Sequence, residues 1–412
     1  MFALRRSFLQ FDGRVRVLAV GWLINALGFS MIYPFLSIYL HSKRGFPMDR
    51  VGLVFLAMGA ARMAGPLIAG VFCDRFGRKR IMAGSPGVQG CLFLVLAHMV
   101  HTEASLPAIA AMLALVNLVG AFFQAAADTY VADIVAPERR ADAYALMRVG
   151  LNVGWMTGPA VGAFLAKTPF SLLFLVTAGC AFTLSAFTWT FCRETLTAPS
   201  GAGAASRLSL KVFRGHPAFL RHCLFCLCVF LVSSQLVSTL SVYTTEVVGI
   251  SRQQLGMAYT LNGALVIFFQ FPASRLLGRL AMKWQTTLGA VFYGAGYFLL
   301  GRAGGYPAVL GSVAVITFGE ILVMPSSVAV ATRHAPPDAT GRFVGLYGLT
   351  RGLGYTIGPW LGGTLFAALP DNPSLLWTII AANAAVAAVG FATARHAAST
   401  ERGQALPTGG RS

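Results

Sequence analysis

Long apolar stretches separated by short polar loops dominate the sequence. Twelve stretches come close to or exceed the roughly 20 residues that a helix needs to cross a bilayer. They lie near 17–40, 51–73, 81–100, 106–134, 143–166, 170–192, 219–243, 254–274, 285–303, 307–331, 343–368 and 374–394. Apolar residues run continuously through them and do not alternate with polar ones, which favours helices over the strands of a barrel. The pattern therefore predicts an all-α membrane protein with 12 transmembrane helices.

The second half of the chain repeats the first at a displacement of 200 residues. The repeated positions are mainly Gly and Pro: Pro137, Leu146, Gly154, Gly158, Pro159 and Gly162 recur as Pro337, Leu346, Gly354, Gly358, Pro359 and Gly362. Between the halves, 197–210 is rich in Ala, Gly and Ser, as a flexible linker is. We expect two pseudo-symmetric six-helix bundles, with a substrate site between them near the bilayer midplane. The expected division is an N-terminal bundle over 1–196, a cytoplasmic linker over 197–217, a C-terminal bundle over 218–396 and a disordered cytoplasmic tail over 397–412.

Composition and charge agree with a protein that uses lipid as its solvent. Hydrophobic residues make up 56% of the chain and charged residues 11%. The net charge of +18 could indicate a nucleic-acid partner, so the positions of the charges decide the matter. With twelve spans and a cytoplasmic N-terminus, 23 of the 32 Lys and Arg lie on the cytoplasmic side, six on the opposite side and three within spans. This positive-inside bias predicts that both termini are cytoplasmic, and it explains the basicity without nucleic acid.

Signs of an enzyme or a metal site are missing from the sequence. We find no phosphate-binding loop, no histidine pair with metal-ligand spacing and no nucleophile motif. All seven cysteines lie within spans or at their ends, where a disulfide framework is not expected. Cys223 and Cys226 form a lone C-x-x-C that indicates small buried side chains. We expect no cofactor and no metal, and an ion gradient as the source of energy.

A motif follows the second predicted span, where 70–80 reads GVFCDRFGRKR. A basic cytoplasmic loop alone would explain the arginines but not the spacing of Gly70, Asp74 and Gly77. The motif resembles the signature between helices two and three of the major facilitator superfamily, and the resemblance covers essentially the whole chain. It implies the major facilitator fold. An aspartate at a helix end can bond the exposed N–H groups of a neighbouring helix start, and Arg78 can bridge to another acid.

By resemblance, these loop residues form a latch that stabilises the outward-facing state. Its members would be Gly70, Asp74, Gly77 and Arg78, with Asp133 at the end of the fourth span as the partner of Arg78. A purely topological role for the basic loop is the alternative.

The fifth span resembles the antiporter signature of the drug–proton exchangers with twelve helices in this family. Small residues four apart let helices approach closely, and a proline bends the helix. The sequence therefore predicts a packing and hinge surface, and the resemblance favours an exporter over an importer. The residues are Gly150, Gly154, Gly158, Pro159 and Gly162, with Gly354, Gly358 and Pro359 in the copy.

Ionisable side chains within the spans are candidates for proton coupling, because they are costly in lipid and usually functional or paired. Glu320 is the first candidate for the proton carrier, with Asp128 and Arg62 as further coupling residues. A permanent Arg62–Glu320 ion pair is the alternative. Asp128 is expected to pair with Arg148 near the cytoplasmic face.

Two departures from the family pattern concern this coupling. The fourth span lacks the arginine that many members have there, and the first span offers only Asn25 as a strongly polar group. We hypothesise that Arg62 replaces the missing charge.

Polar side chains on the apolar central spans are predicted to line a substrate cavity. They are Asn25, Tyr33, Arg62, Asn117, Gln124, Gln235, Asn262, Gln270 and Glu320. Each could instead make a hydrogen bond between helices. A wall of aromatic and aliphatic residues with few polar groups suits amphiphilic compounds.

The sequence as a whole predicts a secondary active transporter that works by alternating access. Its partners would be a small-molecule substrate, protons and the lipid bilayer, and we expect a monomer in the bacterial inner membrane. The leading hypothesis is a proton-coupled antiporter for small amphiphilic compounds, as in multidrug efflux. The alternatives are a proton-coupled or facilitative transporter of a sugar, siderophore, amino acid or lipid, and then an intramembrane enzyme or a sensor.

Overall fold

The protein is described from a computed structural model. It describes residues 13–136, 139–165, 168–195, 213, 215–277, 280–336 and 339–394, and no β-strand occurs in these ranges. Twelve long helices, α1 to α12, form within them. They are Gly13–Lys43, Met48–Phe76, Arg78–His101, Leu106–Ile134, Arg140–Leu165, Ser171–Phe191, Pro217–Val247, Arg252–Leu277, Met282–Leu300, Tyr306–Arg333, Thr340–Ala368 and Pro373–Thr393.

The twelve-helix prediction is confirmed. Nine of the helices described above are long and apolar enough to cross a membrane, whereas α5, α9 and α11 are less apolar than those nine. Each of these three helices packs against a neighbour: α5 on α1, α9 on α10 and α11 on α7. A less apolar helix is tolerated where neighbouring helices cover part of its surface.

The seventh span is broken, although the sequence predicts it as continuous. It consists of the α-helix Pro217–Ser233, a 3₁₀ turn over Ser234–Val237 and a short α-helix over Thr239–Glu246. At the break, the Gln235 side-chain amide donates to Leu231 O at 2.9 Å and to Gly358 O at 2.7 Å. The Gln235 side chain thus supplies hydrogen bonds to backbone carbonyls at the break, where lipid could supply none.

Helices one to six pack among themselves, and so do helices seven to twelve. In the first group α1 contacts α5 and α6, and α2 contacts α4; in the second α7 contacts α11 and α12, and α8 contacts α10. This pairing agrees with two six-helix bundles related by the repeat. Most of the predicted linker 197–217 and all of the predicted tail 397–412 lie outside the described residues, as do Pro137 and Pro337. The exact bundle boundaries therefore stay a prediction.

The repeated glycines bring equivalent helices into backbone contact. A Cβ atom added at Gly154 would lie 2.8 Å from Leu23 O, and one at Gly158 would lie 2.9 Å from Leu27 O. In the copy, a Cβ atom at Gly358 would lie 2.8 Å from Leu231 O. Only glycine allows α5 to approach α1, and α11 to approach α7, this closely.

The two bundles touch each other at one membrane face. We call the face that holds the 70–80 loop the predicted cytoplasmic face and the other the opposite face. In the halves of α2 and α11 nearer the opposite face, a Cβ atom added at Gly52 would lie 2.7 Å from Trp360 Cα, and one at Gly59 would lie 2.8 Å from Thr356 Cα.

Toward the predicted cytoplasmic face the same two helices separate. Among the described residues, no atom lies within 4 Å of a Cβ added at Gly70 of α2 or at Gly345 of α11. The bundles are therefore closed at the opposite face and spread apart toward the predicted cytoplasmic face.

Candidate functional site

A cavity of about 470 Å³ lies between the two bundles. Much of its wall is aromatic, formed by Trp22, Phe29, Tyr33, Phe55, Trp155 and Tyr355. The Tyr33 ring centre lies 6.1 Å from that of Phe55 and 6.4 Å from that of Trp155. Trp155 and Tyr355 occupy repeat-related positions on α5 and α11, so each bundle presents an aromatic ring from equivalent helices. Such a wall fits a flat or apolar organic molecule.

Few polar groups reach this cavity, and most of them come from the first bundle. Asn25, Tyr33, Arg62 and Gln124 line it as the sequence predicts, and Arg62 Nη2 donates to Gln124 Oε1 at 3.3 Å. Asp128, predicted as a coupling residue, is also on the wall. Arg351 of α11, one of the three basic residues within the predicted spans, also lines the cavity. The sequence motifs assign it no role, although a charge inside a span is a signal of function.

Five residues predicted to line the cavity lie outside its wall and bond neighbouring groups instead. They are Asn117, Gln235, Asn262, Gln270 and Glu320. Asn117 accepts a bond from Tyr33 OH at 3.1 Å, and Gln270 donates to Ile321 O at 3.2 Å. A polar amide on an apolar helix gains more from a partner on the next helix than from facing lipid. Periodicity alone does not distinguish these two orientations.

Glu320 and Asn262 form a polar cluster between α8 and α10. The Asn262 side-chain amide donates to Glu320 Oε2 at 3.1 Å and to Thr317 Oγ1 at 2.8 Å. Arg148 of α5 interacts with Glu320 through its charge, without an ion pair. Beside the cluster, Ser233 Oγ lies 3.0 Å from Tyr293 OH and 3.0 Å from Tyr355 OH, and both phenols lie in the electrostatic field of Glu320.

Neither in-span ion pair considered from the sequence is formed in this conformation. Among the described residues, the ion pairs within 4.0 Å are His41–Glu246, Arg78–Asp74 and Arg78–Asp133. Arg62 therefore does not pair with Glu320, and Arg148 does not pair with Asp128. Glu320 instead accepts a hydrogen bond from Asn262 of its own bundle, and Asp128 lies on the cavity wall.

The predicted latch residues Asp74, Arg78 and Asp133 lie together. Arg78 is only 8% exposed, and its guanidinium lies 3.4 Å from Asp74 Oδ1 and 3.2 Å from Asp133 Oδ2. At the start of α3, Glu194 accepts the Arg78 backbone N–H at 2.9 Å. Gly77, between the helices, has φ of +92°, a conformation that favours glycine.

A second cluster closes the opposite face, and the sequence did not indicate it. His41 Nε2 of α1 lies 3.2 Å from Glu246 Oε2 of α7, and Ser42 Oγ donates to the same carboxylate. Deeper in the membrane, Ser37 Oγ donates to Ser238 O at 3.1 Å. These contacts join the first helix of one bundle to the first helix of the other. The opposite face is thus held by polar bonds as well as by packing.

Removing the His41–Glu246 contact is expected to loosen this closure. The two side chains are 24% and 32% exposed, so solvent screens the pair. We expect Glu246→Gln or His41→Ala to raise the rate at which a membrane-impermeant maleimide labels Ser238→Cys. The increase should be about two- to fivefold over the chain that carries Ser238→Cys alone. Labelling of the same chain without Ser238→Cys gives the background. Glu103→Gln, in an exposed loop between α3 and α4, is the control. Equal labelling in all three would contradict the expectation.

The described residues contain no group of three or more His, Cys, Asp or Glu side chains placed to hold a metal ion. The cavity wall offers aromatic rings, two arginines and one carboxylate, the groups that can contact a bound molecule.

Comparisons with known proteins agree with this architecture. A family model described as Major Facilitator Superfamily matches residues 18–359 and 245–407. The uncharacterized MFS-type transporter YttB of Bacillus subtilis is 28% identical over 85% of this chain and 88% of its own. A Na⁺, Li⁺, K⁺/H⁺ antiporter of Planococcus maritimus is 24% identical over 84% of this chain and 88% of its own. The multidrug resistance protein MdtH of Aeromonas hydrophila is 24% identical over 88% and 90%.

Among solved structures, a bacterial homolog of the human lysosomal transporter Spinster, in an inward-facing and occupied conformation, has the same fold. The TM-score is 0.77 at 14% identity, over 92% of this chain and 96% of that one.

Proposed function

Because this chain belongs to the major facilitator superfamily, and is thus a multi-pass membrane transporter and not an enzyme, we propose that it exports small amphiphilic compounds in exchange for protons. The observation that carries the proposal is the aromatic cavity between two bundles that are closed at one face only. Alternating access needs such a cavity and such a one-sided closure.

The wall chemistry supports an organic substrate over an inorganic cation. Aromatic rings from both bundles provide a surface that holds an apolar body. An alkali cation, which the name of the Planococcus maritimus relative assigns to that protein, needs several oxygen ligands. Asp128 is the one acidic residue on the described wall, beside two arginines. The name of the MdtH relative supports an organic cargo, as does the cavity.

Proton coupling is proposed to run through Glu320. In this conformation it receives a hydrogen bond from a neutral amide and forms no ion pair with another described residue, so its carboxyl can hold a proton without breaking an ion pair. The Ser233–Tyr293–Tyr355 network lies beside it and ends at the cavity wall. A substrate in the cavity and the proton on Glu320 could therefore influence each other through electrostatics, without direct contact. Asp128 and Arg62 are proposed as further coupling residues.

The latch, the hinge and the orientation complete the proposal. Gly70, Asp74, Gly77, Arg78 and Asp133 are proposed to stabilise the outward-facing state, when α2 and α11 meet at the predicted cytoplasmic face. With this orientation, the conformation described here would be inward-facing, and in it Arg78 is held within the first bundle. The repeated glycines are proposed as packing and hinge surfaces, along which the helices shift when the transporter changes conformation. The positive-inside bias supports cytoplasmic termini in the bacterial inner membrane, with a monomer as the working unit.

Transport in proteoliposomes with an acidic lumen tests the proposed function. Protons that leave the lumen should drive an amphiphilic dye inward, and a protonophore should stop this accumulation. A panel of sugars, amino acids, siderophores and lipids covers the alternatives. Accumulation of a nutrient but no dye, or dye movement that ignores the pH gradient, would contradict the proposal.

A further inference from the structure

We infer that the transported compound carries an anionic group, such as a carboxylate or sulfonate, which binds between Arg62 of α2 and Arg351 of α11. This inference rests on the proposed transport function and specifies its substrate class. It arises from two arginines on the wall of one cavity, each contributed by a different bundle.

Among the residues that the structure describes, neither arginine forms an ion pair with an acidic side chain in this conformation. Both side chains are exposed to the cavity. The described hydrogen bond of Arg62 goes to the neutral Oε1 of Gln124, and Arg351 has neither a hydrogen bond nor an ion pair among the described residues. A cation within a membrane-spanning helix without compensation is costly, so it indicates a functional site.

The two arginines flank a contact between the bundles. Their sequence neighbours touch: a Cβ atom added at Gly352 would lie 3.2 Å from Met63 Cγ, and Thr356 Oγ1 lies 3.4 Å from Met63 Sδ. Arg62 and Arg351 are therefore adjacent to the same α2–α11 contact, on the side that opens to the cavity.

The charge balance of the wall favours an anion. The lining has two arginines against one acid, Asp128, which pairs with neither of them. When the bundles close around the cavity, water leaves and the repulsion between like charges strengthens. A bound anion removes that repulsion. A guanidinium group can also donate two parallel hydrogen bonds to two oxygens of a carboxylate or sulfonate, which a lysine ammonium cannot do.

The surrounding rings define the rest of the compound. Trp22, Trp155 and Tyr355 lie on the same wall as the arginines, so an apolar or aromatic body would pack there while its acidic group reaches the α2–α11 contact. The substrate class is an amphiphilic organic anion. An anion that contacts both arginines would also bridge the two bundles and so favour closure around it.

Two dyes with related xanthene rings and opposite charge test this inference: carboxyfluorescein and the cationic rhodamine 123. Binding to the purified protein is followed by quenching of tryptophan fluorescence, since Trp22 and Trp155 line the cavity. The unmodified protein should bind carboxyfluorescein more tightly than rhodamine 123. Arg62→Gln and Arg351→Gln should each weaken carboxyfluorescein binding about tenfold to a hundredfold. Rhodamine 123 should bind equally well or better in these variants.

Matched variants separate charge from folding. Arg62→Lys and Arg351→Lys keep the charge and should retain more affinity than the glutamine variants. Arg302→Gln, at the opposite-face end of α9, removes an arginine outside the cavity and should bind as the unmodified chain does. Tighter binding of rhodamine 123, or unchanged carboxyfluorescein binding in both glutamine variants, would overturn the inference. Because this assay uses no gradient, anion-selective binding without pH-driven transport would instead count against the proposed proton coupling.

Discussion

Glu320→Gln is expected to reduce transport driven by a pH gradient to the level of protein-free liposomes. The variant keeps an oxygen that can accept the Asn262 hydrogen bond, so the cluster between α8 and α10 should persist. It cannot take up or release a proton, which removes the coupling step. Exchange of substrate across the membrane without a gradient should continue, because that process needs the cavity but no net proton movement. Driven uptake and exchange are measured side by side in the same proteoliposomes.

The control for this variant is Asp371→Asn, which makes the same chemical change in the exposed loop between α11 and α12. It should transport as the unmodified chain does. Driven uptake that survives Glu320→Gln would disprove the assigned role. Asp128→Asn would then be the decisive variant, since Asp128 is the acid on the cavity wall itself.

Gly158→Ala is expected to destabilise the folded protein by about 1–3 kcal/mol, in the range of overpacked cores. The new methyl group would meet Leu27 O at 2.9 Å and would also collide with Ser30 Oγ. The serine can rotate, but the carbonyl belongs to the α1 backbone, so α1 and α5 would have to move apart. A lower midpoint of thermal unfolding in detergent, together with a lower yield of folded protein, would show this.

Gly179→Ala on α6 is the matched control, since no described atom lies within 4 Å of its added Cβ. Both substitutions gain the same helix propensity, so the difference between their midpoints isolates the helix contact. Gly358→Ala in the repeat should behave like Gly158→Ala, because its Cβ would lie 2.8 Å from Leu231 O. Equal midpoints for Gly158→Ala and Gly179→Ala would show that α5 does not depend on this approach.

Parts of the candidate site were predictable from the sequence, and others were not. Arg62 and Gln124 could be placed on the cavity because a polar group in an apolar span must face a cavity or a partner. For Asn262 and Gln270 the same reasoning left both possibilities open, and in this conformation they bond a neighbouring helix. Glu194 and Glu246 lie at helix ends, where an acidic residue has no distinguishing pattern. Their roles depend on which distant helix end lies beside them.

The sequence by itself determined the helical membrane architecture, the two-fold repeat and the composition of the 70–80 loop. Each follows from local properties: lipid requires apolar residues along every exposed turn, and close helix contacts require glycine at fixed spacing. Only the tertiary structure decided the break in α7, the His41–Glu246 closure and the presence of Arg62 and Arg351 on the wall of one cavity. The last two of these features join helices through residues more than 200 positions apart. Their geometry depends on how helices rotate and pack, and hydropathy along one helix contains no information about that.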